Sequence, residues 1–318
     1  MRKVVVTGGA GFIGSHVVTE LLREGFEVTV IDNFSTGSRQ MIAHLPIALY
    51  VCNVSDPAVT RIIQSLHPDY IVHLAAQISV ARSVEDPLTD EETNIHGSLN
   101  ILKAAQLSGV KKLVFASSAA VYGSPVAEII DTSHPTVPES PYGLAKLTVE
   151  HYLHMFERYY HLPYAILRFS NVYGPGQDAH GEGGVVSIFS DRIARGLTSV
   201  IYGDGEQTRD FIYVDDVARA IIASLSVRES MCLNVSSGTS ITINQLFRQM
   251  KKVAHSQCQA VYRPARAGDI RRSKLANAQT KKLLEWKPIV PLERGLLETL
   301  RALQMQTVDE SEDRRAVR

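Results

Sequence analysis

Val4-Val5-Val6-Thr7-Gly8-Gly9-Ala10-Gly11-Phe12-Ile13-Gly14-Ser15 opens the chain with a β-branched run that stops at glycines. It restarts as Ser15-His16-Val17-Val18-Thr19-Glu20-Leu21-Leu22, so the segment reads strand, tight turn, helix. Gly9, Gly11 and Gly14 fit G-x-G-x-x-G, and Gly8, Gly11 and Gly14 fit the looser G-x-x-G-x-x-G. In either frame glycine admits the turn's torsions, lets backbone N–H groups approach a pyrophosphate, and packs helix against strand. A second β run, Glu27-Val28-Thr29-Val30-Ile31, ends in Asp32, about 20 residues past the glycines, where a carboxylate accepts from an adenosine ribose hydroxyl. That carboxylate repels a ribose phosphate, so the expected cofactor is NAD rather than NADP.

Outward from this unit, β-rich runs alternate with helical stretches to about residue 170: Ala48-Leu49-Tyr50-Val51, Tyr70-Ile71-Val72-His73-Leu74, Lys112-Leu113-Val114-Phe115-Ala116 and Tyr164-Ala165-Ile166-Leu167-Arg168. Nearly unbroken apolar strands separated by helices imply a parallel sheet covered on both faces, an α/β doubly wound fold of the Rossmann type. Polar residues cluster where those strands end, at Asp32, Asn53, Ala75-Ala76-Gln77, Ser117-Ser118 and Ser170-Asn171. Ligands of such sheets sit there. After Asn171 the chain turns to Tyr173-Gly174-Pro175-Gly176-Gln177 and Gly181-Glu182-Gly183-Gly184, irregular sequence suited to a smaller C-terminal substrate lobe. The expected division is an NAD-binding Rossmann domain over 1–170 and a substrate lobe over 171–307 with segments returning to the sheet. Residues 308–318 lack an apolar face to dock and are expected to fray as a flexible tail.

Composition narrows the function classes. The 318 residues are 45% hydrophobic, enough for a large core, and Lys+Arg 33 balances Asp+Glu 33. Bulk charge therefore points to no nucleic-acid or acidic-surface partner. Cys52, Cys232 and Cys258 are odd in number and far apart, so neither a disulfide framework nor a zinc site is indicated. His151, His154 and His161 have no carboxylate at a convincing ligand spacing, and no metal is expected. The apolar run after Met1-Arg2-Lys3 is only Val4 to Val6, and no stretch approaches membrane-spanning length; a soluble, cytoplasmic protein with no membrane partner is expected.

Pro125, Pro135, Pro138 and Pro141 punctuate a loop that ends where Tyr142-Gly143-Leu144-Ala145-Lys146 begins a helix. Tyr142 and Lys146, four apart, share one face of it. An ammonium near a phenol favours phenolate, lowering a pKa that starts near 10, so Tyr142 could shuttle a proton. A Tyr-x-x-x-Lys pair is common by chance. This one follows a strand ending in Ser117-Ser118, beside the cofactor site.

The glycine turn, His73-Leu74-Ala75-Ala76, Asn94, Phe115-Ala116-Ser117-Ser118-Ala119-Ala120-Val121-Tyr122-Gly123, Pro141 to Lys146, and Leu167-Arg168-Phe169-Ser170-Asn171 together resemble the extended short-chain dehydrogenase/reductase family. Within it the chain is most similar to the UDP-hexose 4-epimerases, from residue 1 to about 290. The resemblance implies tightly held NAD and a Ser118, Tyr142, Lys146 site. Tyr142 takes the proton of the sugar's carbon-4 hydroxyl as hydride passes to the nicotinamide, Ser118 hydrogen-bonds the changing oxygen, and Lys146 holds the nicotinamide ribose. The 4-keto sugar then turns over and is reduced on its other face.

Position by position, the resemblance assigns the cofactor to Gly8, Gly11, Phe12, Ile13, Gly14, Asp32, Asn33, Asn53, Val54, Leu74, Ala75, Ala76, Asn94, Tyr142 and Lys146. Asn53 stands where family members often carry Asp. For a UDP-sugar substrate it implies Ser118 and Tyr142, with Asn171, Arg209 and Arg266 at the diphosphate, Asp269 at the nucleotide's ribose, and Ser273 beside the carbon-2 substituent. Guanidinium forks suit phosphate oxygens. A small residue at 273 leaves space for an N-acetyl group. Leu147, Leu153 and Phe156 form the implied face of a homodimer. Relatives that remove water carry acidic residues at the two positions after the motif serine, here Ala119 and Ala120, which cannot move protons. Sugar-nucleotide decarboxylases usually place Glu where Ala120 stands, and a non-catalytic NAD sensor is expected to lack Tyr142 or Lys146, both present.

Overall fold

The computed structural model describes residues 1–178, 184–265 and 270–316, of which 305–316 are described as backbone. Six strands follow the expected runs: β1 Lys3–Thr7, β2 Glu27–Asp32, β3 Ala48–Val51, β4 Tyr70–His73, β5 Lys112–Ser118 and β6 Tyr164–Phe169. With Met231–Val235 they form one seven-stranded sheet, ordered Met231–Val235, β6, β5, β4, β1, β2, β3, and every pairing is parallel. The chain runs outward from β1 to β3, then returns to β4 on the other side of β1. A crevice opens at that reversal, beyond the carboxyl ends of β1 and β4.

The strands are apolar on both faces because both are covered. Val4 and Val6, Val28 and Val30, and Ala165 and Leu167 point to one core with Val17, Val18, Leu21, Val217 and Ile221 of helices Phe12–Arg23 and Val214–Ser226. Val5, Ile31, Ile71, Phe115 and Ile166 point the other way, onto helices Ala58–Leu66, Gly97–Ser108 and Pro141–Tyr160. This period of two within unbroken apolar runs is the signature of a doubly covered sheet.

Residues 214–235 thus supply a helix and a strand to the sheet. The remaining C-terminal strands form short pairs beside helices Val185–Ala194, Ile243–Val253 and Leu292–Ala316: Asn171–Tyr173 parallel to Phe211–Tyr213, Ser199–Tyr202 parallel to Ala260–Arg263, and Thr208–Arg209 antiparallel to Ile241–Thr242. They enclose a second core of Tyr173, Phe189, Phe211, Tyr213, Phe247 and Leu300. The last helix, Leu292–Ala316, continues through most of the stretch expected to fray. Among the described residues no helix is long and apolar enough to cross a membrane.

A buried polar chain joins β1, β4 and helix Gly97–Ser108. Ser98 Oγ donates to Asn94 O at 2.6 Å, so it accepts from His73 Nε2 at 2.9 Å, and His73 Nδ1 accepts from Thr7 Oγ1 at 2.7 Å. Burial, reinforced by the Lys146 charge, pulls the imidazole down to about 3. The unfolded chain binds a proton here below about 6.5 and the native state does not, so stability falls as pH drops from there toward 3. Urea denaturation between pH 7 and 5 is expected to show the native protein losing about 1 kcal/mol per pH unit more than His73→Gln. Equal slopes would mean that His73 is charged in the fold.

Candidate active site

Two glycines shape the phosphate turn. Gly8 has φ +70°, and a Cβ on it would meet Ala75 N at 2.6 Å; a Cβ on Gly14 would meet Gly8 O at 2.0 Å. The helix therefore starts directly on the turn. Its N-cap, Gly11, provides no side-chain cap, which leaves first-turn N–H groups to serve an anion. Asp32, at the end of β2, accepts from Ala10 N at 2.9 Å through one oxygen and from Phe34 N at 2.8 Å through the other. Each oxygen keeps a lone pair for a ribose hydroxyl. An uncapped helix start, a turn with no room for side chains and a fixed carboxylate fit a dinucleotide.

Gly8, Gly11, Phe12, Ile13, Gly14, Asp32, Asn33, Asn53, Val54, Leu74, Ala75, Ala76, Tyr142 and Lys146 line one crevice. Ile31, Ser35, Thr36, Cys52, Ile78, Thr93, Ala116 and Phe169 line it too, beyond the positions assigned to the cofactor, as does Ser117 in the polar cluster expected at the end of β5. Asn94 does not line it. It lies one layer behind, 2% exposed, in the π-helical segment Glu92–His96. Its amide donates to Gln77 O at 2.9 Å and Asp90 Oδ1 at 2.8 Å, and its oxygen accepts from Gln77 N at 2.9 Å. Asn94 thus braces the loop after β4, which supplies the crevice wall.

Helix Pro141–Tyr160 starts at Ser140, whose hydroxyl accepts from Gly143 N at 3.1 Å, with proline at the first helical position. Tyr142, Lys146 and Glu150 follow at intervals of four and face inward. Ser118 lies close enough to the Tyr142 phenol to draw its pKa down, and its Oγ accepts from Ala120 N at 3.1 Å. Lys146 Nζ donates to Ala116 O at 3.0 Å and lies 5.8 Å from the centre of the Tyr142 ring. Tyr142 and Lys146 thus line one end of the crevice, with Ser118 beside the phenol.

Their ionisation departs from expectation. Burial pushes the Tyr142 phenol up to about 12, against the pull of nearby Ser118. Burial also pulls Lys146 down to about 8, against the charges of Asp90 and Glu150. The expectation that Lys146 lowers the Tyr142 pKa is corrected: the ammonium is aimed at Ala116 O rather than at the phenol, and loss of water outweighs what attraction remains.

Of the residues assigned to substrate, Asn171 is exposed, with its N–H donating to Asp210 O at 2.9 Å, and Arg209 is half-buried, its guanidinium donating to Thr208 O at 2.9 Å. Ser273 is buried, on a segment whose neighbour Leu275 bridges Ile130. Arg266 and Asp269 lie outside the described residues. The face expected for a second copy is mostly interior: Leu153 is buried, and Leu147 and Phe156 pack half-buried against core residues. Leu144, Met155 and Tyr159 are the exposed apolar residues on one stripe of that helix.

Residues 4–235 match the model of the NAD dependent epimerase/dehydratase family. A putative UDP-glucose 4-epimerase of Methanocaldococcus jannaschii is 40% identical over 92% of this chain and 95% of its own length. Among solved structures, a UDP-glucose 4-epimerase of Thermotoga maritima with UDP-glucose superposes with TM-score 0.94 at 42% identity, covering 96% of this chain and all of the other. A UDP-N-acetylglucosamine 4-epimerase of Methanobrevibacter ruminantium in complex with UDP-N-acetylmuramic acid gives TM-score 0.92 at 38% identity, over 96% and 99%. Decarboxylases of UDP-sugars are relatives as well, at 32% identity for that of Bacillus cytotoxicus. On a seven-stranded parallel sheet whose glycine turn and Asp32 accommodate a dinucleotide, this chain belongs to the NAD dependent epimerase/dehydratase family, and its cofactor is NAD.

Proposed function

We propose that this protein is an isomerase that inverts carbon 4 of a UDP-sugar, interconverting UDP-glucose and UDP-galactose and also their N-acetylated counterparts, through a 4-keto sugar. One observation carries the assignment: Tyr142 and Lys146 line the crevice with Ser118 beside the phenol, while the neighbouring Ala119 and Ala120 offer no acid or base for elimination. NAD, when bound, supplies the hydride acceptor and a positive ring. Tyr142 takes and returns the carbon-4 hydroxyl proton, and Ser118 holds the phenol and the sugar oxygen in one hydrogen-bonded group. Burial holds the phenol neutral, so Tyr142 becomes a base only where positive charge gathers beside it, from Lys146 and the loaded crevice. Asn171, Arg209 and Arg266 are assigned to the diphosphate, Asp269 to the nucleotide's ribose, and Ser273 to the carbon-2 pocket.

The exposed stripe Leu144, Met155 and Tyr159, with Leu107 exposed on the adjoining helix, is apolar surface that a second copy would cover, and we assign a homodimer to it. Three unpaired, half-buried cysteines fit work in a reducing cytoplasm.

Incubation with UDP-glucose or UDP-N-acetylglucosamine, without added reductant, is expected to yield the carbon-4 epimer. A 4-keto-6-deoxy product would assign a dehydratase, loss of carbon dioxide from a UDP-uronic acid a decarboxylase, and resident NAD without any turnover a sensor. Tyr142→Phe is expected to lower kcat by about 100-fold or more with NAD content unchanged; full-speed epimerisation by this variant would refute the chemistry. Ser273→Tyr should reduce turnover of UDP-N-acetylglucosamine by about tenfold or more and that of UDP-glucose by less than about threefold. Equal loss of both would remove Ser273 from the carbon-2 pocket.

A further inference from the structure

Asp210 is fully buried, at 0% exposure, between the short strands Thr208–Arg209 and Phe211–Tyr213. Five donors converge on its carboxylate. One oxygen accepts from Ser237 N at 2.9 Å, Ser237 Oγ at 2.7 Å and Ser170 Oγ at 3.4 Å, and the other from Gly238 N at 3.1 Å and Leu275 N at 3.4 Å. Its backbone oxygen accepts from Asn171 N at 2.9 Å. The donors come from three separate places: the end of β6, the turn after strand Met231–Val235, and the segment that carries Ser273. Gly238 has φ +76°, which curls the turn so that two consecutive N–H groups face one carboxylate.

A buried carboxylate is costly, and burial pushes this one up while its donors pull it back. No neutral side chain replaces it. Five donors need two acceptor oxygens, and an amide would turn one of them into a donor facing Gly238 N–H and Leu275 N–H. None of the donating residues lines the dinucleotide crevice, yet each lies near a residue assigned to the nucleotide sugar. Asn171 hangs on the backbone of Asp210, Arg209 precedes it and reaches Ile270 O at 2.5 Å, and buried Ser273 is two residues from Leu275.

We propose that Asp210 is the positioning residue of the nucleotide-sugar subsite, setting the spacing of Asn171, Arg209 and Ser273 without touching substrate and without acting on the NAD crevice. This rests on the UDP-sugar reading above. Calorimetric titration of the NAD-loaded protein with UDP tests it, with Asp210→Asn and the milder Ser237→Ala, which removes a single donor. Asp210→Asn is expected to weaken UDP binding about tenfold, to raise KM for the UDP-sugar in step, and to change kcat by less than about threefold, with NAD content unchanged; Ser237→Ala should weaken UDP by about threefold. UDP binding within twofold of the native protein in Asp210→Asn would overturn the positioning role, as would parallel loss of NAD and UDP. Should Asp210→Asn not fold, the same readings on Ser237→Ala settle the matter. Native protein that bound no UDP would overturn the nucleotide-sugar reading and this inference together, whereas native binding unchanged in the variants overturns this inference alone.

Discussion

Glu150 and Arg168 form a bidentate ion pair at 3.0 and 2.6 Å, 2% and 8% exposed, between the helix carrying Tyr142 and Lys146 and strand β6. The geometry of the active end of the crevice follows from it. Glu150 also accepts from Ser117 Oγ on β5, so one carboxylate fixes the helix against both strands that end beside the site. Arg168 continues the network by donating to Tyr122 OH at 2.9 Å, and Tyr122 donates to Asn234 of strand Met231–Val235 at 2.7 Å. Asn234 holds Ile130 O at 2.9 Å, which draws the proline-punctuated loop onto the sheet. Removing one partner of such a pair leaves an uncompensated buried charge, a loss of about 3–5 kcal/mol.

Two buried lysines show why burial alone is poor evidence of function. Lys112 and Lys146 are both pulled down to about 8 by loss of water, and both donate to backbone carbonyls. Lys112 lies at the opening of β5 and reaches the carbonyls of Ser224, Val227 and Glu229, where it neutralises the end of helix Val214–Ser226. Lys146 differs in its surroundings: it lines the crevice and stands above the Phe115 ring at 4.9 Å, beside Tyr142. The same chemistry serves packing at one end of a strand and the site at the other.

Polar contacts tie the sheet and its helices to the short elements that follow β6. His16, two residues beyond Gly14, meets Asp215 at 2.6 Å through one ring nitrogen and Pro175 O at 3.0 Å through the other. The glycine-turn helix is thereby tied to the loop that leaves the sheet after β6. Asp210 likewise joins Ser170, at the end of β6, to Ser237 and Leu275. Between them the aromatic cluster of Tyr173, Phe211 and Tyr213 supplies the apolar mass.

Features that depend on neighbours along the chain were legible from residues alone. Strand runs, the glycine turn, the spacing to Asp32 and the shared face of Tyr142 and Lys146 each need only a few consecutive residues, and the structure puts all but one of the assigned cofactor positions on a single crevice. Strand Met231–Val235 was harder to read because Cys232 and Asn234 interrupt its apolar pattern, and its place in the sheet comes from pairing with β6. Asn94 sits behind the crevice because Gln77 and Asp90 hold its amide there, and Tyr142 is driven toward neutrality because distant segments close around it. Glu150 with Arg168, and Asp210 with its five donors, join residues far apart in the chain, and no local pattern marks them. Periodicity and turn chemistry act over a handful of residues and so are written in order along the chain, whereas desolvation and the partners of a buried charge exist only once remote segments have packed together.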